Sequence, residues 1–375
     1  MKYLFKKRRI KQKMETTKRN NLTIEGIITL LSPLSHIGET RGTDSLLIRG
    51  NIIGSDNKRH ETFRYNGNAF RGMLRDCGTL YLFEKLGNPK MPLDMLYLFA
   101  SGGTIIGDQS VDLARAEQIR KTFQLLSIFG GGAKSQVLEG KMAIGFGVPL
   151  VRECQSILPE RFRNIEAPPW RLWTEENFFT RTDDAKKEVF KKYLIEQTEP
   201  AQLTELPEPV SAQEEPQVDE QITDGLRFHK KYLEEKKQKQ EKKQEQGQIP
   251  KSKDVPQQMR AMVESLCAGS KMYQRIDLFD VSDLELGAFV SCLDYFSRKP
   301  YIGGKASVGF GLCNIDYEYW NNGKLEHFMS IGENQTKICE LGEGAKKAYD
   351  RWILDLYTKY LEENKVSMAR LLEVK

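Results

Sequence analysis

Apolar residues recur at every second position near the start of the chain. Leu22, Ile24, Ile28 and Leu30 share one face, with Gly26 in the series, which predicts a half-buried strand ended by Ser32-Pro33. A polar, glycine-bearing loop, Ser35 to Ser45, precedes a second apolar strand, Leu46 to Ile53. Gly54-Ser55-Asp56-Asn57 then turns the chain. Tyr65-Asn66-Gly67-Asn68 reads as a further turn. The helical spacing of Phe70, Leu74, Cys77 and Tyr81 predicts a helix from about Ala69 to Leu86, stopped by Gly87-Asn88-Pro89. A second helix is predicted from Asp112, its cap, to Phe129, before Gly130-Gly131-Gly132. Lys141 to Val151 reads as a strand carrying Gly145 and Gly147.

The pattern breaks after about residue 195. Glu196 to Asp224 holds four prolines, nine acids and no Lys or Arg, which marks a linker or disordered insertion. Arg227 to Gln246 is rich in Lys, Glu and Gln, and no core can come from it. Order resumes at about Met259. Ser282-Asp283-Leu284-Glu285 fits a capping box, and the helix behind it presents Leu286, Phe289, Val290, Leu293 and Phe296. A strand through Val308, Phe310 and Leu312 follows, and an amphipathic helix, Ala345 to Leu372, closes the chain. The irregular alternation predicts an α+β fold, with an antiparallel or mixed sheet and helices on one face. It divides into a basic arm (1–20), a first core part (21–195), a charged insertion (196–258) and a second core part (259–375).

Composition narrows the class. The chain has 375 residues, 39% hydrophobic and 29% charged, with mean hydropathy −0.54. That excludes fibrous and membrane classes, and no apolar run approaches the roughly 18 residues a membrane helix needs. The basic start has no apolar segment behind it, so no secretory signal is read and a cytoplasmic location is expected. Cys77, Cys154, Cys267, Cys292, Cys313 and Cys339 show no CxxC spacing and read as free thiols. With only four histidines, none at ligand spacing, no structural zinc site is expected. The net charge is only +5, yet residues 2–19 carry nine Lys or Arg against Glu15. Such an arm either touches nucleic acid or an anionic surface, or is a solvated tail.

Four segments carry candidate chemistry. In Asn66-Gly67-Asn68-Ala69-Phe70-Arg71-Gly72-Met73-Leu74-Arg75 a glycine turn feeds a helix, whose free N–H groups accept phosphate. Arg71 and Arg75 share a face, and Gly72 lets another backbone approach; the plain alternative is a capped helix with two surface arginines. Phe129-Gly130-Gly131-Gly132-Ala133-Lys134-Ser135 imitates a P-loop. Ala133 stands where a glycine belongs, and the segment follows a helix instead of a strand, so a flexible basic loop is the better reading. Gly303-Gly304-Lys305-Ala306-Ser307-Val308-Gly309-Phe310-Gly311 allows close backbone approach, or simply enters an edge strand. The loop from Ser35 to Ser45 holds His36, which either stacks on a base or is a plain surface residue. It also holds Asp44, which either caps a turn or orients a metal ion for RNA cleavage. Glycine-rich basic loops and a basic arm fit a nucleic-acid backbone better than a small-molecule substrate.

Taken together these segments resemble the RAMP superfamily of CRISPR-associated proteins, and within it the Cas-seven-type backbone subunit in its type IV and type III forms. Ser32-Pro33-Leu34-Ser35-His36-Ile37-Gly38 looks like the loop after the family's first strand. Gly67 to Arg75 looks like its G-x-x-[FLI]-[RK]-G-x-[LI]-R helix start. Leu284-Glu285-Leu286-Gly287-Ala288 followed by Ile302 to Gly311 looks like its C-terminal helix and glycine-rich strand. The resemblance covers roughly 22–150 and 260–320. It implies a ferredoxin-like (RRM-like) RAMP core with large insertions, stacked head to tail along a CRISPR guide RNA as a filament for antiviral or plasmid defence. Implied partners are the guide RNA, target nucleic acid through the guide, copies of the chain itself and other CRISPR effector subunits, with no membrane. It implies that Asn68, Arg71 and Arg75 hold guide-RNA phosphates, with His36, Lys134, Gly303, Gly304 and Lys305 as further RNA contacts.

RNA binding of this kind requires no cofactor. Thr43-Asp44-Ser45-Leu46-Leu47-Ile48-Arg49 also resembles the I-D-S-P-V-V-R stretch of type III subunits, where the aspartate cleaves target RNA with a divalent metal. On that reading Asp44 is catalytic and Mg2+ is needed; type IV subunits usually lack the activity, and the proline is missing here. The insertion at 196–250 is not typical of the family, and no thumb residue is carried over to it.

Overall fold

The computed structural model describes residues 19–105, 113–134, 136–163, 166–181, 259–332 and 335–358. The basic arm up to residue 18, Asp112, the charged insertion and the chain beyond residue 358 lie outside them. The chain divides into two compact units, Met1–Phe178 with Ala261–Lys375, and Phe179–Arg260. The described residues of the second are only 179–181 and 259–260.

The first strand, β1 (Asn20–Leu30), buries Leu22, Ile24, Ile28 and Leu30 as its alternation predicts. It is not half-buried at its centre, because Glu25 on the other face is also buried. Tyr273 and Trp320 donate hydrogen bonds to its two carboxylate oxygens at 2.5 and 3.0 Å, and Arg161 lies 3.4 Å away. Those partners are what let a carboxylate be buried there. The polar loop at 35–45 is a β-hairpin, β2 (Ile37–Arg41) and β3 (Asp44–Leu47), turning at Gly42-Thr43. The single apolar strand expected from Leu46 changes partner after Ile48: the Ile48 N–H still donates to the His36 carbonyl beside β2 at 2.8 Å, while Arg49 already pairs with Phe63. A second hairpin, β4 (Arg49–Ile53) and β5 (Arg59–Phe63), follows.

Helix α1 (Gly67–Lys85) begins two residues earlier than the periodicity indicates. Helix α2 (Leu93–Ala100) was not legible, since nearly every residue in it is apolar. Strand β6 (Gly103–Ile105) comes next. The predicted helix ending at Phe129 is two, α3 (Leu113–Thr122) and α4 (Gln124–Phe129), parted where Phe123 adopts φ −132° and ψ 96°. The glycine run then forms β7 (Gly131–Lys134), paired with β6 and with β8 (Gln136–Leu138). The flexible-loop expectation for Gly130 to Lys134 is thereby corrected.

Strands β9 (Met142–Ile144) and β10 (Val148–Pro149) share the stretch read as one strand. Strands β11 (Thr174–Arg181) and β12 (Met259–Leu266) join β3 and β2 in a four-stranded sheet. After β13 (Lys271–Val281) comes α5 (Asp283–Phe296), with the Ser282–Glu285 capping box present. Residues 306–308 form a 3-10 turn, so the strand expected through Val308 starts later, as β14 (Cys313–Asn321). β15 (Lys324–Ile331), β16 (Thr336–Ile338) and α6 (Glu340–Leu356) complete the described chain.

The central sheet has seven strands in the order β10-β13-β1-β14-β15-β16, with β9 also on β13. Every pairing registered in it is antiparallel. Without its insertions the core runs β1, α1, β9–β10, β13, α5, β14, and β1 lies between β13 and β14. Helices α1, α5 and α6 pack together. Phe70 meets Phe296 edge-on at 5.6 Å, and Phe289 stacks on Phe328 of β15 at 6.3 Å. α5 is buried almost all round, because α1 and α6 flank it over the sheet. The mixed α+β fold, with an antiparallel central sheet and parallel pairings between β3 and β12 and between β6 and β7, agrees with the alternation read from the sequence.

Candidate nucleic-acid interface

Four of the segments singled out in the sequence converge on the start of α1. Asn66 caps the helix, its Oδ1 accepting from Asn68 N at 2.9 Å. The Ala69 and Phe70 N–H groups donate to the Asn66 carbonyl at 3.0 and 3.4 Å. Most of the first-turn donors are therefore already satisfied, and any anion here must be held mainly by side chains. The Asn66 N–H donates to His36 Nε2 at 3.2 Å. Gly67 is pressed against the end of β9: a Cβ there would sit 2.4 Å from Ile144 O and 2.5 Å from Gly145 O.

His36 is half-buried, with its ring 4.8 Å from Tyr65 and 6.4 Å from Phe63. Burial pushes its pKa down, so it stays neutral and accepts the Asn66 N–H. The unfolded chain binds a proton more readily, so His36 contributes stability above pH about 6.5 that is lost as pH falls below it. H36Q, whose amide oxygen can accept the same bond, is expected to flatten this slope between pH 7 and 5 in thermal melts. An unchanged slope would remove His36 as its source.

Tyr65 ties the other segments together. It is buried and exchanges two 2.9 Å backbone bonds with Gly147. Its hydroxyl accepts from Gly303 N at 3.4 Å, and burial raises its pKa far above the usual range. The turn after Ile302 is fixed to the first loop: Gly304 N donates to Ser35 O and Gly311 N to Pro33 O, each at 2.7 Å. Gly303, Gly309 and Gly311 have φ of 75°, 90° and 86°, which side chains rarely adopt. Lys305 lies between them at φ 62°, in the left-handed region, and residues 304–309 are exposed.

Arg71 and Arg75 do share a face, but both guanidiniums turn onto the end of α4. Arg75 donates to the carbonyls of Phe129 and Gly130 at 2.8 and 3.1 Å, and Arg71 donates to Phe129 as well. A helix leaves its last carbonyls unpaired, and the arginines satisfy these. Arg75 is buried, lies 5.4 Å over the Phe129 ring, and has its pKa pushed down to about 10 by burial and by Arg71. It remains a cation at neutral pH. Arg71 is half-exposed and Asn68 exposed. Gly72 faces open space, with nothing within 4 Å of a Cβ placed there. Lys134 ends β7 opposite Ile105.

Sequence reasoning missed Arg64 and Phe146. The Arg64 guanidinium lies 4.6 Å over the Phe146 ring, which is 44% exposed between the two glycines that border α1. An aromatic between glycines, Gly145-Phe146-Gly147, was the available signal. Residues 33–38, 63–75, 143–151 and 301–313 contain no Asp or Glu, yet carry Arg64, Arg71, Arg75 and Lys305.

Asp44 stands apart, at the tip of the β2–β3 hairpin opposite Arg41. That is about 13 Å along the strand from Ile37, at 3.3 Å per residue. Its Oδ1 accepts from Met262 N at 3.3 Å and Thr43 Oγ1 at 3.4 Å. Among the described residues no three His, Cys, Asp or Glu gather at metal-binding distance. Nor is any helix among them long and apolar enough to cross a membrane.

No protein-family model matches the chain, and no curated protein sequence matches it. Among solved structures, one similar chain comes from a structure described as a Type IV-B CRISPR complex. It is 14% identical, with a TM-score of 0.48, over 80% of this chain and 92% of that one.

Proposed function

We propose that this chain is a guide-RNA-binding backbone subunit of a CRISPR effector ribonucleoprotein, of the RAMP type, repeating along the RNA in antiviral or plasmid defence. The observation that carries the reading is that the four glycine-bearing segments 33–38, 63–75, 143–151 and 301–313, which carry Arg64, Arg71, Arg75 and Lys305 and no Asp or Glu, meet at the start of α1. The strand order β14-β1-β13-β9 with helices after β1 and β13 supports it, because that is the β-α-β-β-α-β arrangement of a ferredoxin-like core. The order of the motifs at 66–75, 284–288 and 302–311 supports it further. In this reading Lys305, Arg71 and the Asn68 amide contact phosphates, and Arg64 with Phe146 offers a stacking face beside them. Arg75 is a positioning residue, since it is spent on the end of α4. Contacts of this kind read backbone and leave sequence to base pairing.

Chain purified from its native operon is expected to carry a discrete, RNase-sensitive RNA with repeat-derived ends; nucleic-acid-free protein at low salt would overturn the reading. K305G gives the sharper test. It removes one phosphate contact while relieving the left-handed strain, so stability should hold within about 1 kcal/mol. The slope of log K against log salt for single-stranded RNA should shrink by about 0.7. Identical salt slopes for wild type and K305G would remove Lys305 from the interface.

A further inference from the structure

We propose that a cleft on the face of the central sheet away from the helices receives a basic peptide segment, and that its occupant is the arm at residues 2–18 of a second copy of this chain. The cleft measures about 640 Å³ and is bordered by Ile27 and Thr29 of β1, Asp316 and Glu318 of β14, and Phe162 and Trp173. Alternation along β1 places Ile27 and Thr29 opposite the buried Ile24 and Ile28, so this face is distinct from the helix side. It is also distinct from the cationic surface at α1, and the proposal does not rest on the RNA reading.

The charge of the cleft selects its ligand. Its carboxylates are Glu166, Asp316 and Glu318; its cations are Arg161 and Lys271. Three against two leaves an excess of one negative charge, which disfavours RNA phosphates. Arg161 is already held by Glu318 and Glu25. Asp316 and Glu166 are exposed, and their carboxylates have no hydrogen-bond or ion-pair partner among the described residues. Arg161 also shows how a guanidinium fits here, 4.7 Å over the Phe162 ring with carboxylates on its donors. Trp173 offers a second ring, the best partner for a cation.

The arm has the complementary charge, with Lys2, Lys6, Lys7, Arg8, Arg9, Lys11, Lys13 and Lys18 against Glu15 alone. It joins β1 at Arg19, which is anchored by Asp280. Ile27 is eight residues farther on, about 26 Å at 3.3 Å per residue, so the arm would have to double back to fill its own cleft. Fully extended, its seventeen residues span about 56 Å, comparable to the diameter of a unit this size. A neighbouring copy is within reach. Arm and cleft are different surfaces, so the contact is heterologous and can repeat from copy to copy.

The test is complementation between full-length variants after nuclease treatment, followed by sedimentation at low salt. K6Q/K7Q/R8Q/R9Q keeps the cleft and weakens the arm; E166Q/D316N keeps the arm and weakens the cleft. Wild type should self-associate in a salt-sensitive, concentration-dependent way, and each variant alone at least tenfold more weakly. Mixed one to one, the two variants should associate again, because one complete arm then meets one complete cleft. Failure of the mixture to associate, or wild-type behaviour of E166Q/D316N, would overturn the proposal. So would a monomeric wild type at every concentration, the result expected if the arm folds back on its own chain. Photocrosslinking of a single-stranded oligonucleotide to Trp173 would assign the cleft to RNA instead.

Discussion

R75A should destabilise the protein by about 3–5 kcal/mol, even though Arg75 reads from the sequence as a surface phosphate ligand. Arg75 is 8% exposed, and its guanidinium makes two hydrogen bonds to the carbonyls that end α4. Hydrogen bonds from a charged donor contribute about 1.5–3 kcal/mol each, and the alanine leaves the Gly130 carbonyl without its side-chain donor and the Phe129 carbonyl with Arg71 alone. The Phe129 ring also loses its cationic partner. For a domain of this size the melting temperature should fall by roughly 6–15 °C. R75K keeps the charge but not the fork, and should recover only part of the loss. A fall of less than about 1 kcal/mol in R75A would show that α4 ends without help from Arg75. If R75A kept its stability and lost RNA binding, the positioning role would pass to direct phosphate contact.

Arg75 also shows what the sequence could and could not reveal. Elements whose signal is local were legible. The alternation from Leu22 to Leu30, the capping box at Ser282 and the apolar face of α5 depend only on neighbours a few residues away, and the structure contains all three. Boundaries set by distant partners were not. Nothing in residues 46–53 announces that the chain pairs with β2 up to Leu47 and with β5 from Arg49, and that change of partner splits one expected strand into two. The glycines at 131 and 132 read as flexible because β6, the strand that fixes them, has no periodicity of its own in three residues. The site followed the same division. Its residue types were visible as glycine-rich basic segments. Their meeting at Tyr65, which touches both Gly147 and Gly303, is a property of the tertiary fold. The direction of the two arginines was hidden for the same reason: their spacing fixes a shared face, while only the position of α4 decides what that face meets.

G67A carries the second large effect, and its sign opposes ordinary helix propensity. A glycine inside a helix usually costs about 1 kcal/mol relative to alanine, so the substitution should help. Here the new methyl would fall 2.4 Å from Ile144 O and 2.5 Å from Gly145 O. Neither atom can easily yield, because Ile144 pairs with Ile276 and Gly145 N is held by Arg275 O at 2.8 Å. Overpacking of that kind costs about 1–3 kcal/mol, enough to cancel the propensity gain of about 1 kcal/mol and leave a net loss of up to about 2 kcal/mol. Relief requires the start of α1 to move off β9, which separates Asn66 from His36 and Tyr65 from Gly147. RNA affinity should therefore fall at least tenfold at temperatures where the protein is still folded. G72A is the matched control, five residues on in the same helix, with nothing within 4 Å of its Cβ. It should hold or raise stability, and a drop in its RNA affinity would mark Gly72 as a place where the RNA backbone itself comes close. If G67A and G72A shift the melt by the same amount in the same direction, the contact between α1 and β9 does not set the geometry of the interface.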